Sequence, residues 1–232
     1  MIAVVNAGAA EKYNCLAEGF AERTWANLAF DMRRRLILAT TWGKALHAGD
    51  SVVEFGCGDG YLAELFVHEG FHYRGLDISP RMVAVAERRL AAAELTASFL
   101  AIDVDQASLT QPVDVAVSYM GAFFTLVHAP LTLLQRIRPY IRKKIIVDLN
   151  PRGRITIPNA LDMLRTAGFQ NVAWRPFFVP VTMKLPAAAL RTLSLCEGVP
   201  VLRSLPLRWK FNVLLKGEVD FDSRRPDRPR VS

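Results

Sequence analysis

The chain has 232 residues, of which 51% are hydrophobic and 22% charged, and its formal net charge is +7. This length suits one α/β domain with an appendage and allows a sizeable buried core. No stretch reaches the ~18 consecutive apolar residues of a membrane span, and the first residues lack the basic and apolar regions of a signal peptide. The cysteines Cys15, Cys57 and Cys196 are far apart and form no CxxC pair, which favours a reduced, cytoplasmic protein without a metal site.

Residues 1–48 are predicted to form helices that lie over the rest of the domain as a lid. Apolar residues between Leu28 and Gly43 fall near helical spacing. Arg33, Arg34 and Arg35 lie mostly on the other side of this helix, and such a run of charges is usually a solvated face.

Residues 51–60 read SVVEFGCGDG and predict a strand followed by a tight turn. The apolar residues before the turn are typical of a buried parallel strand. Gly56, Gly58 and Gly60 allow the turn and remove side chains that would hold a ligand away from the backbone. A helix is predicted over Tyr61–Gly70, so the segment forms a nucleotide-type pocket at the carboxyl end of a sheet.

The next segments predict three more strands and one helix. Residues 71–77 form a strand that ends in Asp77, 97–103 a strand that ends in Asp103, and 113–119 a fourth strand. Ser79 and Pro80 open the intervening helix as its N-cap and its first-turn proline.

This order of elements, over roughly residues 50–149, resembles the class I S-adenosylmethionine-dependent methyltransferases. Their first motif has an acid two residues before the first glycine, as Glu54 stands before Gly56, whereas a nicotinamide site would read G-x-G-x-x-G. The resemblance implies an α/β fold with a Rossmann-like seven-stranded sheet. That sheet is mostly parallel with an antiparallel last strand, and helices cover both faces.

The resemblance also implies a set of site residues and S-adenosylmethionine as the cofactor. Asp77 stands where the family grips the ribose hydroxyls, and Asp103 stands where it meets the adenine amino group. The cofactor-binding candidates are Tyr13, Glu54, Gly56, Cys57, Gly58, Gly60, Asp77, Ile78, Met82, Asp103, Val104 and Ser118. The substrate-binding candidates are Trp25, Met120, Phe123, Phe124 and Arg191. Tyr13, Phe20 and Trp25 are candidate lid residues, although each could simply pack the helices together.

His128 is the candidate catalytic residue. It ends a segment that follows the fourth strand at the carboxyl edge of the sheet, and a histidine in the equivalent loop is found in many small-molecule methyltransferases. Its imidazole could take the proton from a hydroxyl acceptor. The alternative is a residue near a helix start with no chemical role.

The remainder completes the domain, which is predicted to span residues 49–219. Strands are predicted over 143–149, 171–179 and 209–219, with a helix over 157–168. An insertion over 180–208 is longer than a hairpin needs and is predicted to form part of the acceptor pocket. The tail over 220–232 is charged and rich in proline, which favours disorder.

The insertion region is basic as well as apolar. Such a surface could attract an anionic substrate or an anionic membrane surface, or could serve only solubility. The prediction is therefore methyl transfer to a small, largely apolar acceptor, anionic or lipid-like, with O-methylation favoured and peripheral membrane contact open.

Other functions remain as alternatives. Enzymes that methylate base amino groups commonly carry N/D/S-P-P-Y/F/W after the fourth strand, but here the chain reads Ser118-Tyr119-Met120-Gly121. Nucleic acid is therefore a disfavoured partner, and an RNA or protein methyltransferase is the first alternative. A catalytically inactive binding subunit of the same fold is the second, and the sequence leaves the oligomeric state open.

Overall fold

A seven-stranded sheet forms the centre of the computed structural model, which describes residues 7–119, 122–199 and 212–220. The strand order is β3-β2-β1-β4-β5-β7-β6. All neighbours pair in parallel except β7, which runs antiparallel to both β5 and β6. The predicted fold class is confirmed. The strands are β1 (Ser51–Phe55), β2 (His72–Asp77), β3 (Ser98–Ala101), β4 (Val113–Ser118), β5 (Ile141–Leu149), β6 (Gln170–Phe177) and β7 (Asn212–Glu218).

Helices cover both faces of this sheet. They are α1 (Ala7–Leu16), α2 (Phe20–Thr24), α3 (Leu28–Thr41), α4 (Tyr61–His68), α5 (Pro80–Ala92), α6 (Ala122–Leu126), α7 (Pro130–Ile137), α8 (Ile157–Thr166) and α9 (Ala187–Cys196). No helix within the described part of the chain is long and apolar enough to cross a membrane.

Alternating strand residues divide the core between the two faces, because successive side chains of a strand point in opposite directions. Val53 and Ala116 pack on the side of α6, α7 and α8. Val52, Val115 and Val117 pack on the side of α3, α4 and α5. The parallel strands are therefore buried on both faces, and their carboxyl ends meet at one edge of the sheet.

The prediction that Arg33, Arg34 and Arg35 face solvent is wrong for Arg35. The side chain of Arg33 is 53% exposed, that of Arg34 is 19% exposed, and that of Arg35 is fully buried. Arg35 pairs with Asp31 one helical turn earlier and with Asp148 at the end of β5. The partner on β5 is distant in sequence, so helical periodicity alone does not indicate it.

The described part of the insertion, residues 180–199, packs on the segment that precedes α3. The Asn27 side-chain amide donates to the carbonyl oxygens of Pro180 and Met183 at 2.9 and 2.8 Å. The Leu185 amide donates to the Asn27 side-chain oxygen at 3.1 Å. Predictions for residues 200–211 and 221–232, and for Met120, lie outside the described residues.

Candidate functional site

A cleft lies at the carboxyl ends of β1, β2 and β4, beneath α1 and α2. We call it the outer cavity; its volume is about 770 Å³, including the part that opens to solvent. Its wall combines residues that follow the strands with residues of the first two helices and of the segment around α6. The wall consists of Ala9, Tyr13, Phe20, Gly56, Gly58, Asp77, Ile78, Met82, Asp103, Val104, Tyr119, Leu126 and Val127.

Two acids stand at the ends of neighbouring strands in this wall. The Asp77 carboxylate accepts hydrogen bonds from the Gly58 and Ser79 amides, both at 2.9 Å. Burial raises the pKa of Asp77 above its usual value, against the effect of these bonds. The Asp103 carboxylate accepts from the Asp105 amide at 3.0 Å. Backbone amides of the loops that follow the strands thus orient both side chains, from the loops after β1 and β2 for Asp77 and from the loop after β3 for Asp103.

Gly58 and Gly60 contribute differently to the turn after β1. Both have positive φ, +56° and +77°. A Cβ on Gly58 would have as its nearest atoms two ring carbons of Phe20, at 3.9 and 4.0 Å, so the space above this residue is open. A Cβ on Gly60 would lie 2.7 Å from the Cβ of Ala86 on α5. Gly58 therefore leaves room for a ligand against the backbone, whereas Gly60 allows α4 and α5 to approach.

Glu54 lies beneath the turn rather than in the outer cavity. Its side chain is buried and accepts a hydrogen bond from the Tyr73 hydroxyl. Burial raises the pKa of Glu54 from 4.5 to about 8. The carboxyl group is therefore mostly protonated at neutral pH.

A second, smaller cavity adjoins the first behind the glycine turn. We call it the inner cavity; its volume is about 380 Å³, again including the part that opens to solvent. It shares Phe20, Gly56, Gly58 and Tyr119 with the outer cavity, so the two are neighbours across these residues. The rest of its wall is Ala21, Trp25, Met32, Glu54, Cys57, Asp59, Tyr61 and Leu62.

Three aromatic residues of the N-terminal region connect the two cavities. The rings of Tyr13 and Phe20 meet edge to face with centroids 6.0 Å apart, and those of Phe20 and Trp25 do so at 5.7 Å. Tyr13 lines the outer cavity, Trp25 lines the inner one, and Phe20 lines both. The predicted lid residues therefore form a continuous aromatic wall.

The structure brings most of the predicted cofactor residues together. Tyr13, Gly56, Gly58, Asp77, Ile78, Met82, Asp103 and Val104 line the outer cavity. Glu54, Cys57 and Trp25 line the inner cavity. Ser118 lies just outside, where its hydroxyl donates to the Phe55 carbonyl oxygen at 2.7 Å.

Four other candidates lie away from both cavity walls. Phe123 and Phe124 are buried in the core, and the Phe123 ring packs edge to face on Phe55. Arg191 is exposed on α9. His128 is also exposed, and its backbone amide donates to the Asp105 carboxylate at 3.0 Å. The geometry gives none of these four side chains a place in the walls described.

Sequence reasoning missed Tyr119, Leu126 and Val127 as wall residues. Tyr119 is the first residue after β4. Residues that follow the strands of a parallel sheet commonly line the ligand site, so this position could have identified it. Burial raises the pKa of Tyr119 well above its usual value, so its hydroxyl stays protonated at neutral pH. Leu126 and Val127 belong to the segment that the sequence placed at the carboxyl edge after β4, but which of its residues face the cavity depends on tertiary packing.

The charge of the outer cavity wall favours a cationic group of a ligand. Its carboxyl groups are Asp77 and Asp103, and among the described residues of this wall there is no Lys, Arg or His. No group of three or more metal-ligating side chains occurs in the described ranges.

Comparisons with known proteins agree with this geometry. Residues 52–144 match a family model described as a methyltransferase domain. A curated malonyl-[acyl-carrier protein] O-methyltransferase of Anoxybacillus flavithermus is 27% identical over 139 residues, which are 59% of this chain and 49% of that protein. The chain therefore spans about half the length of this relative.

Two solved structures share the fold. A putative methyltransferase in complex with the Haloferax volcanii Trm112 activator aligns with a TM-score of 0.64 and 19% identity, over 91% of this chain and 96% of that one. Magnesium protoporphyrin IX methyltransferase from Synechocystis, with bound S-adenosylmethionine, aligns with a TM-score of 0.58 and 16% identity, over 83% and 78%. Residues 52–144 of this chain thus match a methyltransferase domain model, and the chain has the fold of solved methyltransferases, one of which holds S-adenosylmethionine.

Proposed function

We propose that the chain transfers a methyl group from S-adenosylmethionine to a carboxylate oxygen of a small, largely apolar acceptor. The observation that carries this proposal is the wall of the outer cavity. The wall offers Asp77 and Asp103 to the ribose hydroxyls and the adenine amino group. It also offers an apolar surface of Leu126, Val127 and Tyr119 to the acceptor.

The described wall of the outer cavity contains no Lys or His that could act as a base, which supports a carboxylate acceptor. Both Asp77 oxygens already accept backbone amides, and burial raises the pKa of Tyr119 and of Cys57. A carboxylate needs no base, because it is already ionised at neutral pH, with an ordinary pKa of about 4. The curated relative from Anoxybacillus, named as an O-methyltransferase of a malonyl group, is consistent with this acceptor class.

The bound cofactor would supply a methyl group on a positively charged sulfur, which leaves as a neutral thioether. The protein then contributes mainly position and exclusion of water. Asp77 and Asp103 hold the nucleoside end, and Gly58 lets the ligand lie against the backbone. Tyr119, Leu126 and Val127 would position the acceptor and keep water from the reacting atoms.

Isothermal titration calorimetry tests the cofactor half of the proposal. We expect S-adenosylmethionine and S-adenosylhomocysteine to bind and NAD not to bind. Asp77→Ala should weaken binding by about 1–3 kcal/mol, because it leaves polar partners unpaired. Asp114→Ala is the matched control, since Asp114 accepts the Ser51 amide at 2.9 Å near the opposite end of β1. Binding of NAD alone would contradict the proposal.

A transfer assay with methyl-labelled cofactor tests the acceptor half. The panel pairs malonyl-type and fatty carboxylic acids with alcohols and amines of the same carbon skeleton. We expect label in products from which mild base releases methanol, as it does from methyl esters. Label that resists base, found only with the amines, would assign N-methylation instead.

A further inference from the structure

The indole N–H of Trp25 is a buried hydrogen-bond donor that the fold does not use. Trp25 is 5% exposed, and its Nε1 has no hydrogen-bond partner among the described residues. Burying a donor without a partner is unfavourable, so such groups in native proteins call for an explanation. Trp25 lines the inner cavity, where a ligand atom could supply the missing acceptor.

Three other polar side chains of this wall already have partners. The Asp59 carboxylate accepts the Ala21 amide at 2.8 Å and lies 3.6 Å from the Arg89 guanidinium. The Glu54 carboxyl accepts the Tyr73 hydroxyl. The Tyr119 hydroxyl lies 3.4 Å from the Arg35 carbonyl oxygen, to which it donates. Among the described residues of this wall, Trp25 is therefore the one with a buried side-chain donor that has no partner.

The position of the inner cavity indicates which part of a ligand would reach it. The acids suited to the nucleoside, Asp77 and Asp103, lie in the outer cavity, and Gly56 and Gly58 belong to both cavities. A ligand that extends from those acids across the glycine turn reaches the inner cavity with its opposite end. In S-adenosylmethionine that end is an amino acid with a carboxylate.

We propose that the inner cavity receives a carboxylate of a bound ligand and that the Trp25 indole N–H donates a hydrogen bond to it. This inference rests on the proposed function, in which both the cofactor and the acceptor carry a carboxylate. The charge on Asp59 does not exclude such a ligand, since Arg89 offsets it.

The test measures the affinity of the full chain for S-adenosylmethionine and for its decarboxylated analogue. The two ligands differ only by the carboxylate. Trp25→Phe removes the N–H and keeps a ring beside Phe20, and Trp42→Phe is the control. The Trp42 ring lies between cationic groups of Arg175 and Lys216 and lines neither described cavity.

We expect Trp25→Phe to weaken S-adenosylmethionine about tenfold or more, as for a hydrogen bond to a charged group, and to leave the decarboxylated analogue unchanged. If the carboxylate in the inner cavity belongs to the acceptor and not to the cofactor, the expected results differ. Cofactor affinity is then unchanged in Trp25→Phe, and the KM of a carboxylate acceptor rises about tenfold. Equal losses for both cofactor ligands, or no loss in either assay, would overturn the proposal.

Indole resonances of the wild-type chain provide a second measurement that needs no variant. The four tryptophans give four indole N–H signals in a ¹⁵N-labelled sample. We expect S-adenosylmethionine, or the carboxylate acceptor, to move one of them to lower field, and the ligand without the carboxylate not to do so. If neither cofactor ligand binds the wild-type chain, the proposed function fails. If both bind with equal affinity and no indole signal differs between the ligands with and without the carboxylate, only this inference fails.

Discussion

The guanidinium carbon of Arg35 lies 4.9 Å from the centre of the Tyr119 ring, which lines both cavities. The Phe177 ring lies 4.6 Å from the same carbon. Burial works against the charge of Arg35, but Asp31 and Asp148 raise its pKa above the usual value. A buried cation of α3 therefore supports the wall of the candidate site from behind, and it ties the N-terminal helices to the end of β5.

Replacement of Arg35 by Met should destabilise the fold strongly. The substitution leaves the buried carboxyl groups of Asp31 and Asp148 without their cation, and breaking a buried pair in this way costs about 3–5 kcal/mol. Arg33→Met is the matched control, because the Arg33–Glu69 pair is exposed and such pairs contribute ~0–1 kcal/mol. Urea denaturation of both variants measures the difference. Equal losses of unfolding free energy would show that the buried pairs stabilise the fold no more than the exposed pair does.

Alanine at Gly58 and at Gly60 should separate ligand binding from folding. Both substitutions strain a positive φ, at a cost of about 1–2 kcal/mol. At Gly58 the added methyl group enters the cavity, so we expect cofactor affinity to fall about tenfold or more. At Gly60 it meets Ala86 at 2.7 Å, and overpacking adds about 1–3 kcal/mol of destabilisation. Calorimetry and thermal unfolding of both variants check this, and a reversed pattern would contradict it.

Glu54 should make stability depend on pH between about 5 and 8. Burial is the main cause of its raised pKa, with Asp77 and Asp148 acting in the same direction and Tyr73 and Arg35 opposing them. The folded chain keeps this proton up to about pH 8, whereas the unfolded chain loses it near pH 4.5. The stabilisation is thus fully present below the unfolded value and is lost as pH rises to the folded one, by at most about 1.4 kcal/mol per pH unit.

The variant Glu54→Gln removes this titration. Its unfolding free energy relative to the wild type should therefore increase steadily from pH 5 to pH 8 and then level off. Urea denaturation at several pH values provides the measurement. Parallel pH profiles for the two proteins would show that Glu54 does not titrate in this range.

Local patterns predicted the sheet well, and the predicted nucleoside residues Asp77 and Asp103 lie together in the outer cavity wall. The strand, glycine turn and acid at Asp77 lie close together in sequence, and Ser79 caps α5 as predicted by accepting the Met82 amide. The burial of the Arg35 side chain depends on its pairing with Asp148, which is 113 residues away in the sequence. Phe123 is core rather than cavity wall because α6 packs its ring on Phe55, and helical spacing alone does not say which side faces the ligand.

His128→Ala tests the base that the sequence suggests. Because the side chain is exposed and outside the described cavity walls, and because a carboxylate acceptor needs no base, we expect turnover to stay within about twofold of the wild type. A loss of ~10²-fold with unchanged cofactor affinity would instead establish His128 as the base.

Glu197 should hold the described part of the insertion in place. Its buried carboxylate accepts the Phe178 amide at 3.0 Å and pairs with Arg34 on α3 at 2.8 Å. Glu197→Gln keeps the shape but removes the charge, and the loss of charged hydrogen bonds costs about 1–3 kcal/mol. Since residues 180–199 line neither described cavity, we expect cofactor affinity to remain unchanged.

Limited proteolysis with trypsin under native conditions shows whether that loss is local. Cleavage after Lys184 and Arg191, both exposed, should be about tenfold or more faster in Glu197→Gln, because the segment opens more often. Glu69→Gln is the control, since it removes an exposed carboxylate from the Arg33 pair and should leave those cleavage rates unchanged. Unchanged cleavage in Glu197→Gln would show that other contacts hold the segment. A raised KM for the acceptor, with cofactor affinity intact, would support the prediction that the insertion forms part of the acceptor pocket.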